Sequence, residues 1–212
     1  MKELEFIYKR RSVRKFLDTP VTQEHLQAII QAAIYAPSGK NLQNWHFVVV
    51  NNKEKIAGMA RVVEEKNAAL APLLGNEGKA KSFRGMLPYA TVFKNAPTVV
   101  LVYAGPYPTV ADDLLAGGIM PPDEARTYAA ASPGIQNIAA AMENLQLAAA
   151  SLGYGTCWMT GPTYAAKEIS DYIGFAREGY FLAAMTPLGI PAGAPPSAPA
   201  RKPLEDVLTI IK

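Results

Sequence analysis

SPGIQNIAAAMENLQLAAASLGYGTCWMTGP, from Ser132 to Pro162, contains the change of period that decides the fold class. Ser132 predicts an N-cap. Pro133 suits the first helical position, where its missing amide would have had no acceptor. Ile135, Ile138, Ala139, Met142, Leu145, Ala149 and Leu152 then recur at helical spacing, and Gly153 suits the left-handed position just past a helix end. With little but alanine and leucine between these residues, the helix should be covered on most sides. Gly155 to Thr160 follows as a predicted strand.

The same alternation of elements extends outward in both directions. Thr22 predicts a helix start, with Glu24 in the first turn where the helix dipole favours an acid. Leu26, Ile29, Ile30, Ala33 and Ile34 share one face, and Pro37 ends the run. Trp45 to Val50, WHFVVV, reads as a buried strand. After Asn51-Asn52, Ile56, Met59, Ala60 and Val63 mark another helix. Thr98 to Gly105 and Tyr180 to Leu188 predict further strands, and Ala165 to Gly174 a further helix. Strands interleave with helices through connections too long for a hairpin meander, so the class is α+β or α/β, with helices packed on a central sheet. There is no internal repeat and no clear linker, and residues 1–212 are expected to form one domain. The composition shifts at Ala68–Pro88 and again at Gly189–Pro203.

Half of the 212 residues are hydrophobic and 18% are charged. That balance supports a large core and argues against disorder. A net charge of +3 is too small for a general nucleic-acid binder. One cysteine and two histidines speak against a disulfide framework and against a metal site. No apolar run reaches the ~18 residues of a membrane span. MKELEFIYKRRS has no secretory pattern, so the expected location is cytoplasmic.

The densest polar feature is Lys9 to Phe16. Arg10, Arg11 and Arg14 with Ser12 suit one dianionic group, because guanidinium forks pair with phosphate oxygens. A solvated basic patch would use the same residues, but Phe6, Ile7, Val13 and Phe16 can anchor this one to the core. Ala36 to Phe47, APSGKNLQNWHF, leaves a helix and enters a strand through short amides and hydroxyls. Such a loop can read the edge of a planar polar heterocycle, or it can be an ordinary turn.

Together these segments resemble the nitroreductase family of flavin mononucleotide (FMN) enzymes. RRSVRKF (Arg10–Phe16) and PSGKNLQNWHF (Pro37–Phe47) are similar to its first two blocks, with Asn44 where proline is usual. AMENLQLAAASLGYGTCWMTGP (Ala141–Pro162) is similar to the third, with Glu143 replacing a glutamine, and ARKPLEDVL (Ala200–Leu208) to the last. Residues 68–89 and 107–131 fit the pattern poorly. The resemblance implies the α+β class, with a central, mostly antiparallel sheet flanked by helices, in a domain-swapped homodimer with a C-terminal extension. It implies that Arg10, Arg11, Ser12 and Arg14 hold the FMN phosphate and ribityl chain, and that Pro37, Ser38 and Asn41 lie along the flavin. Thr160 and Gly161 would place amides near the reactive ring nitrogen, and Arg201 with Lys202 would return to the phosphate. The flavin would lie at the dimer interface. The tail 204–212, with Leu208, Ile210 and Ile211, would pack on the partner subunit and add a strand there.

The implied activity is hydride transfer from NADH or NADPH through FMN to a nitroaromatic or quinone-like acceptor, in ping-pong order. Alternatives are another FMN reaction (enone reduction, reductive dehalogenation, oxygen-dependent flavin chemistry) or flavin binding without turnover. Neither nucleic acid nor membrane is an expected partner. No acid–base constellation is expected, because the flavin carries the chemistry. Gly153–Trp158 fails as a dinucleotide fingerprint, since it precedes a strand and lacks the third glycine. Cys157 reads as a packed thiol, His46 as structural, and His25 as a polar helix-face residue. Tyr103, Tyr107, Tyr128 and Tyr154 are candidates for a cavity lining, and more readily for core or interface. Asp112-Asp113 and Asp123-Glu124 read as surface acids at helix starts.

Overall fold

The computed structural model of the chain describes residues 2–194 and 197–211. α1 (Glu5–Lys9) leads into the arginine segment. Thr22 then caps α2 (Gln23–Ile34) by accepting the His25 amide at 3.3 Å. β1 (Trp45–Val50) follows, and the Asn52 side chain caps α3 (Lys53–Leu70) by accepting the Lys55 amide at 2.9 Å. The stretch where composition shifts is helical: α3 runs into it, followed by α4 (Glu77–Gly85) and α5 (Leu87–Ala90). β2 (Thr98–Ala104), α6 (Val110–Ala116) and α7 (Pro122–Thr127) precede the long α8 (Pro133–Ser151). β3 (Gly155–Thr156), α9 (Ala166–Ile173) and β4 (Phe181–Gly189) complete the body.

The strands form one sheet of order β1-β2-β4-β3, and every neighbouring pair is antiparallel. β2 is central and buried at every position, which explains its unbroken apolar run. Alternate β2 residues feed two cores. Val99, Leu101 and Tyr103 pack with Ile56, Met59 and Val63 of α3 and Ile169 of α9. Val100 and Val102 pack with Ile29 of α2 and Ile138, Met142 and Leu145 of α8. Among the described residues, no helix is long and apolar enough to cross a membrane.

Four expectations need correction. Phe6 and Ile7, expected to anchor the arginine segment to the core, lie on α1 and are exposed, so Val13 is its buried anchor. Ser132 precedes α8 but caps nothing with its side chain. Its backbone is left-handed (φ 48°, ψ 56°), whereas side-chain capping needs an extended N-cap residue. The strand predicted over Gly155–Thr160 is two residues long. The Thr186 hydroxyl takes the Cys157 amide at 3.1 Å, and Met159 regains β4 only as an isolated bridge to Met185. On α8, Ile135 and Leu152 are exposed, and the buried face is Ile138, Ala141, Met142, Leu145 and Ala149.

The two ends of the chain are brought together beside β3. Val13 donates its amide to the Thr156 carbonyl at 2.8 Å, and Gly155 makes room for it: a Cβ there would lie 2.7 Å from the Val13 Cβ. Leu17 then bonds Ile190 at 2.9 Å, and Ala192 bonds Lys15 at 2.9 Å. The arginine segment therefore runs along the chain leaving β4, and residues 197–201 continue from there. Leu204, Val207, Leu208, Ile210 and Ile211 of the tail are exposed, Ile211 at 93%. Lys212 lies outside the described residues.

Candidate functional site

Arg10, Arg11, Ser12, Arg14 and Arg201 line one cavity of about 280 Å³. Its cations are sparsely compensated. Glu143 lies 3.9 Å from Arg10 and is the one carboxylate in ion-pair range of these arginines among the described residues. Arg11 donates to the Tyr8 and Arg10 carbonyls, Arg14 to the Ser12 carbonyl at 3.4 Å, and Arg201 to the Pro199 carbonyl at 3.2 Å. Three guanidiniums held by backbone oxygens, with Arg10 beside a single carboxylate, leave net positive charge facing the cavity. Lys202, expected beside Arg201, is exposed and does not line it.

Arg14 also lines a second cavity of about 390 Å³, together with Thr160 and Gly161. Its walls are mainly apolar: Phe83, Met86, Tyr89, Trp158 and Tyr164. Asn67, only 2% exposed, reaches it from α3 and donates to the Phe83 carbonyl at 3.3 Å. Burial pushes the Tyr164 phenol up, and its hydroxyl donates to the Val63 carbonyl at 3.2 Å. Gly161 is neither in a left-handed conformation nor crowded, since a Cβ there would meet only Ala90, at 3.9 Å. Its missing side chain therefore keeps cavity space open rather than relieving the fold.

Cys157 is buried on the wall of the same cavity. Burial pushes its thiol up, opposed by the charges of Arg14 and Arg10 and a hydrogen bond from Ser12. The neutral thiol is poorly nucleophilic.

Pro37, Ser38 and Asn41 line neither cavity. Their loop is held from behind by polar groups. The Gly39 amide donates to Asn137 Oδ1 at 3.0 Å, and Asn137 donates to Asn44 Oδ1 at 2.8 Å. Asn44 in turn donates to the Gly105 and Gly134 carbonyls at 3.1 and 3.3 Å. The asparagine that replaces the usual proline is thus a buried junction between the loop, β2 and α8. Lys40, Asn41 and Gln43 all have positive φ (57°, 50° and 46°). Each costs on the order of 1–3 kcal/mol that the surroundings must offset.

Asn67, Tyr164 and the aromatic wall of α4 and α5 were not legible as site residues. Trp158, in the GTCW block, was the one nearby signal. His46 stacks on Phe175 (5.0 Å, 18°) and accepts from Arg177 at 3.3 Å; burial, then the Arg177 charge, pushes its imidazole down. His25 bonds the Tyr154 hydroxyl at 2.9 Å, and Asn144 ties α8 to the Ala32 carbonyl at 3.3 Å. Tyr103 and Tyr154 are buried, whereas Tyr128 is exposed.

The sequence profile of the nitroreductase family matches residues 7–190. The chain belongs to the nitroreductase family. Its structure is similar to that of a BluB-like flavoprotein from Clostridium difficile 630, with 37% identity, a TM-score of 0.91 and all of both chains covered. It is also similar to a nitroreductase with bound FMN from Bacteroides fragilis NCTC 9343, with 25% identity, a TM-score of 0.71 and all of both chains covered. A family relative from Archaeoglobus fulgidus, provisionally named an NADH dehydrogenase/NAD(P)H nitroreductase, is 30% identical over 160 residues, 74% of this chain. That match spans 66% of the archaeal protein's length, and a second archaeal relative is matched over 60% of its own.

Proposed function

We propose that the chain is an FMN-dependent NAD(P)H oxidoreductase whose cofactor spans the two cavities that meet at Arg14. The observation that carries this reading is the union of a guanidinium-lined cavity with an apolar, aromatic-walled one through a single shared side chain. FMN has that polarity: a dianionic phosphate at one end and a planar tricyclic ring at the other.

The residues fit the group. Arg10, Arg11, Arg14 and Arg201 would neutralise the phosphate, and Ser12 would donate one more hydrogen bond. The open space at Gly161 suits the close approach of a flat ring, and the amides of Thr160 and Gly161 would stabilise charge developing on it. Bound FMN would supply hydride and electron chemistry. The aromatic wall would exclude water from the reacting face. Reduced nicotinamide nucleotide and then a nitroaromatic or quinone-like acceptor would use this cavity in succession, which is ping-pong order.

Pro37, Ser38 and Asn41 would then serve the FMN of a second copy. Four features support a homodimer of that kind. The loop stands clear of both cavities. Ile135 on α8 and Leu152 just past its end are exposed, and so are the apolar side chains of the tail. Among the described residues β1 pairs only with β2, and it leaves an outer edge beside Leu26, Ile30, Ile34 and Val49. The partner's tail, 204–212, would add a strand at that edge, and each copy would remain one domain.

The test is the visible spectrum of the purified protein, followed by anaerobic NADH or NADPH. A yellow protein that bleaches and regains colour with a nitroaromatic or quinone is expected. A colourless protein that takes up no FMN would overturn the reading. Bound FMN that neither nucleotide bleaches would leave a flavin-binding protein without turnover. A second reading keeps FMN and changes the reaction, to enone reduction, dehalogenation or oxygen-dependent chemistry. What supports it is the greater likeness to a flavoprotein named BluB-like than to one named a nitroreductase. Steady-state assays with each acceptor, with and without oxygen, separate the two.

A further inference from the structure

We infer that Tyr107 is a positioning residue that holds the Ser38–Asn41 loop in its working shape, with Lys40 as its latch. Tyr107 opens the stretch 107–131, one of the two that fit the family pattern poorly. Its side chain is wedged between two glycines from different elements. A Cβ on Gly39 would lie 2.3 Å from the Tyr107 hydroxyl oxygen, and one on Gly134 would lie 2.7 Å from the Tyr107 Cβ. Neither glycine has a positive φ, so what their missing side chains serve is the approach of Tyr107 rather than an unusual backbone.

The loop closes over the same side chain. Lys40 Nζ sits 5.5 Å from the centroid of the Tyr107 ring and donates to the Pro108 carbonyl at 3.0 Å. Both contacts suit an ammonium, one as a cation–π pair and one as a charged donor. On the other side, the Gly39 amide is fixed by Asn137 at 3.0 Å. The middle of the loop is therefore gripped from two directions. Lys40 within the grip, and Asn41 and Gln43 just past it, have left-handed backbones. Such conformations persist where surroundings over-determine them, and Tyr107 supplies one side of that constraint. The direction of Asn41 thus depends on a residue that touches no reacting atom, and the variable 107–131 stretch is coupled to the loop through it.

This inference rests on the reading of the loop as a flavin contact, so the experiment separates the two. Full-length Tyr107→Phe, Tyr107→Ala and Lys40→Met would be compared with the unaltered protein and with Arg10→Ala. The readouts are FMN affinity by fluorescence titration, the visible circular dichroism of bound flavin, and the thermal midpoint. Tyr107→Ala should weaken FMN binding by about tenfold, as the loop loses a brace for its left-handed backbone, and alter the flavin dichroism. Tyr107→Phe, which keeps the ring, should restore both to within about threefold, and Lys40→Met should fall between, losing a contact of modest strength. If the unaltered protein takes up no FMN, the functional reading fails and this inference falls with it. If it binds FMN, Arg10→Ala loses it, and Tyr107→Ala and Lys40→Met keep affinity and dichroism unchanged, this inference alone is overturned. Should Tyr107→Ala not fold, Lys40→Met decides: altered dichroism at an unchanged thermal midpoint supports the latch, and unchanged dichroism overturns it.

Discussion

Arg10–Arg14 and Pro37–Asn41 differ in what completes them. The arginine segment lies along β3 and the chain leaving β4, so Arg201 reaches its cavity from the far end of the same chain. The Pro37–Asn41 loop is braced just as firmly, by Asn44, Asn137 and Tyr107. Yet what it braces points at neither cavity. One segment finds its partners within the chain, and the other faces neither cavity. On the proposed reading the site is split between two copies, and each half can be broken separately.

The largest effect should come from the intramolecular half. Each charge-assisted contact to phosphate contributes about 1.5–3 kcal/mol, so Arg10→Ala with Arg14→Ala should weaken FMN binding by more than about a hundredfold in a fluorescence titration. A change within threefold would make the gathered arginines a solvated patch. Next in size is the tail. Ending the chain after Pro203 should give a monomer without flavin, as judged by light scattering and absorbance; a yellow dimer would refute the crossing.

A mixing experiment sharpens the contrast further. Protomers carrying Arg10→Ala and Arg14→Ala are mixed with protomers carrying Ser38→Ala and Asn41→Ala, each flavin-poor alone. Refolded together, they should recover flavin at roughly a quarter of the sites, because half the dimers are mixed and each has one intact site. No recovery would mean that both segments serve one chain.

The smallest effect concerns the end of the sheet away from β3. His46 has its imidazole pushed below the ordinary value of 6.5, by burial first and then by Arg177. The unfolded chain therefore binds this proton more readily than the folded one. The His46 contribution is present above the ordinary value and is lost as pH falls below it through the lower folded value. The thermal midpoint should decline modestly on acidification, and His46→Phe, which keeps the stacking on Phe175, should flatten that part of the profile. An unchanged profile would remove His46 from the account.

How much of this was legible in advance depended on the range of the interaction. The Thr22 cap, β1 and β2 were readable because capping and β-branched runs act over a few residues. β3 is shorter than its sequence suggests, because the Thr186 hydroxyl that interrupts its ladder comes from 29 residues downstream and gives no local sign. Ser132 departs for a related reason: serine favours caps, but its backbone here is left-handed. In the candidate site, the arginine cluster could be read from residue chemistry alone. Asn67 and the α4–α5 aromatics could not, since their meeting at one cavity is set by packing between distant elements. Asn44 drew notice only as a departure from the family pattern, and its role as a junction needed coordinates.

The central claim is that cations from both ends of the chain hold one phosphate. Titration of flavin-free protein with FMN and, in parallel, with riboflavin tests it most directly, because the two ligands differ only in that group. FMN should bind at least about a hundredfold more tightly, the effect of losing two or more charge-assisted contacts, with an advantage that shrinks as salt is added. Equal affinity for both ligands at low salt would contradict the claim.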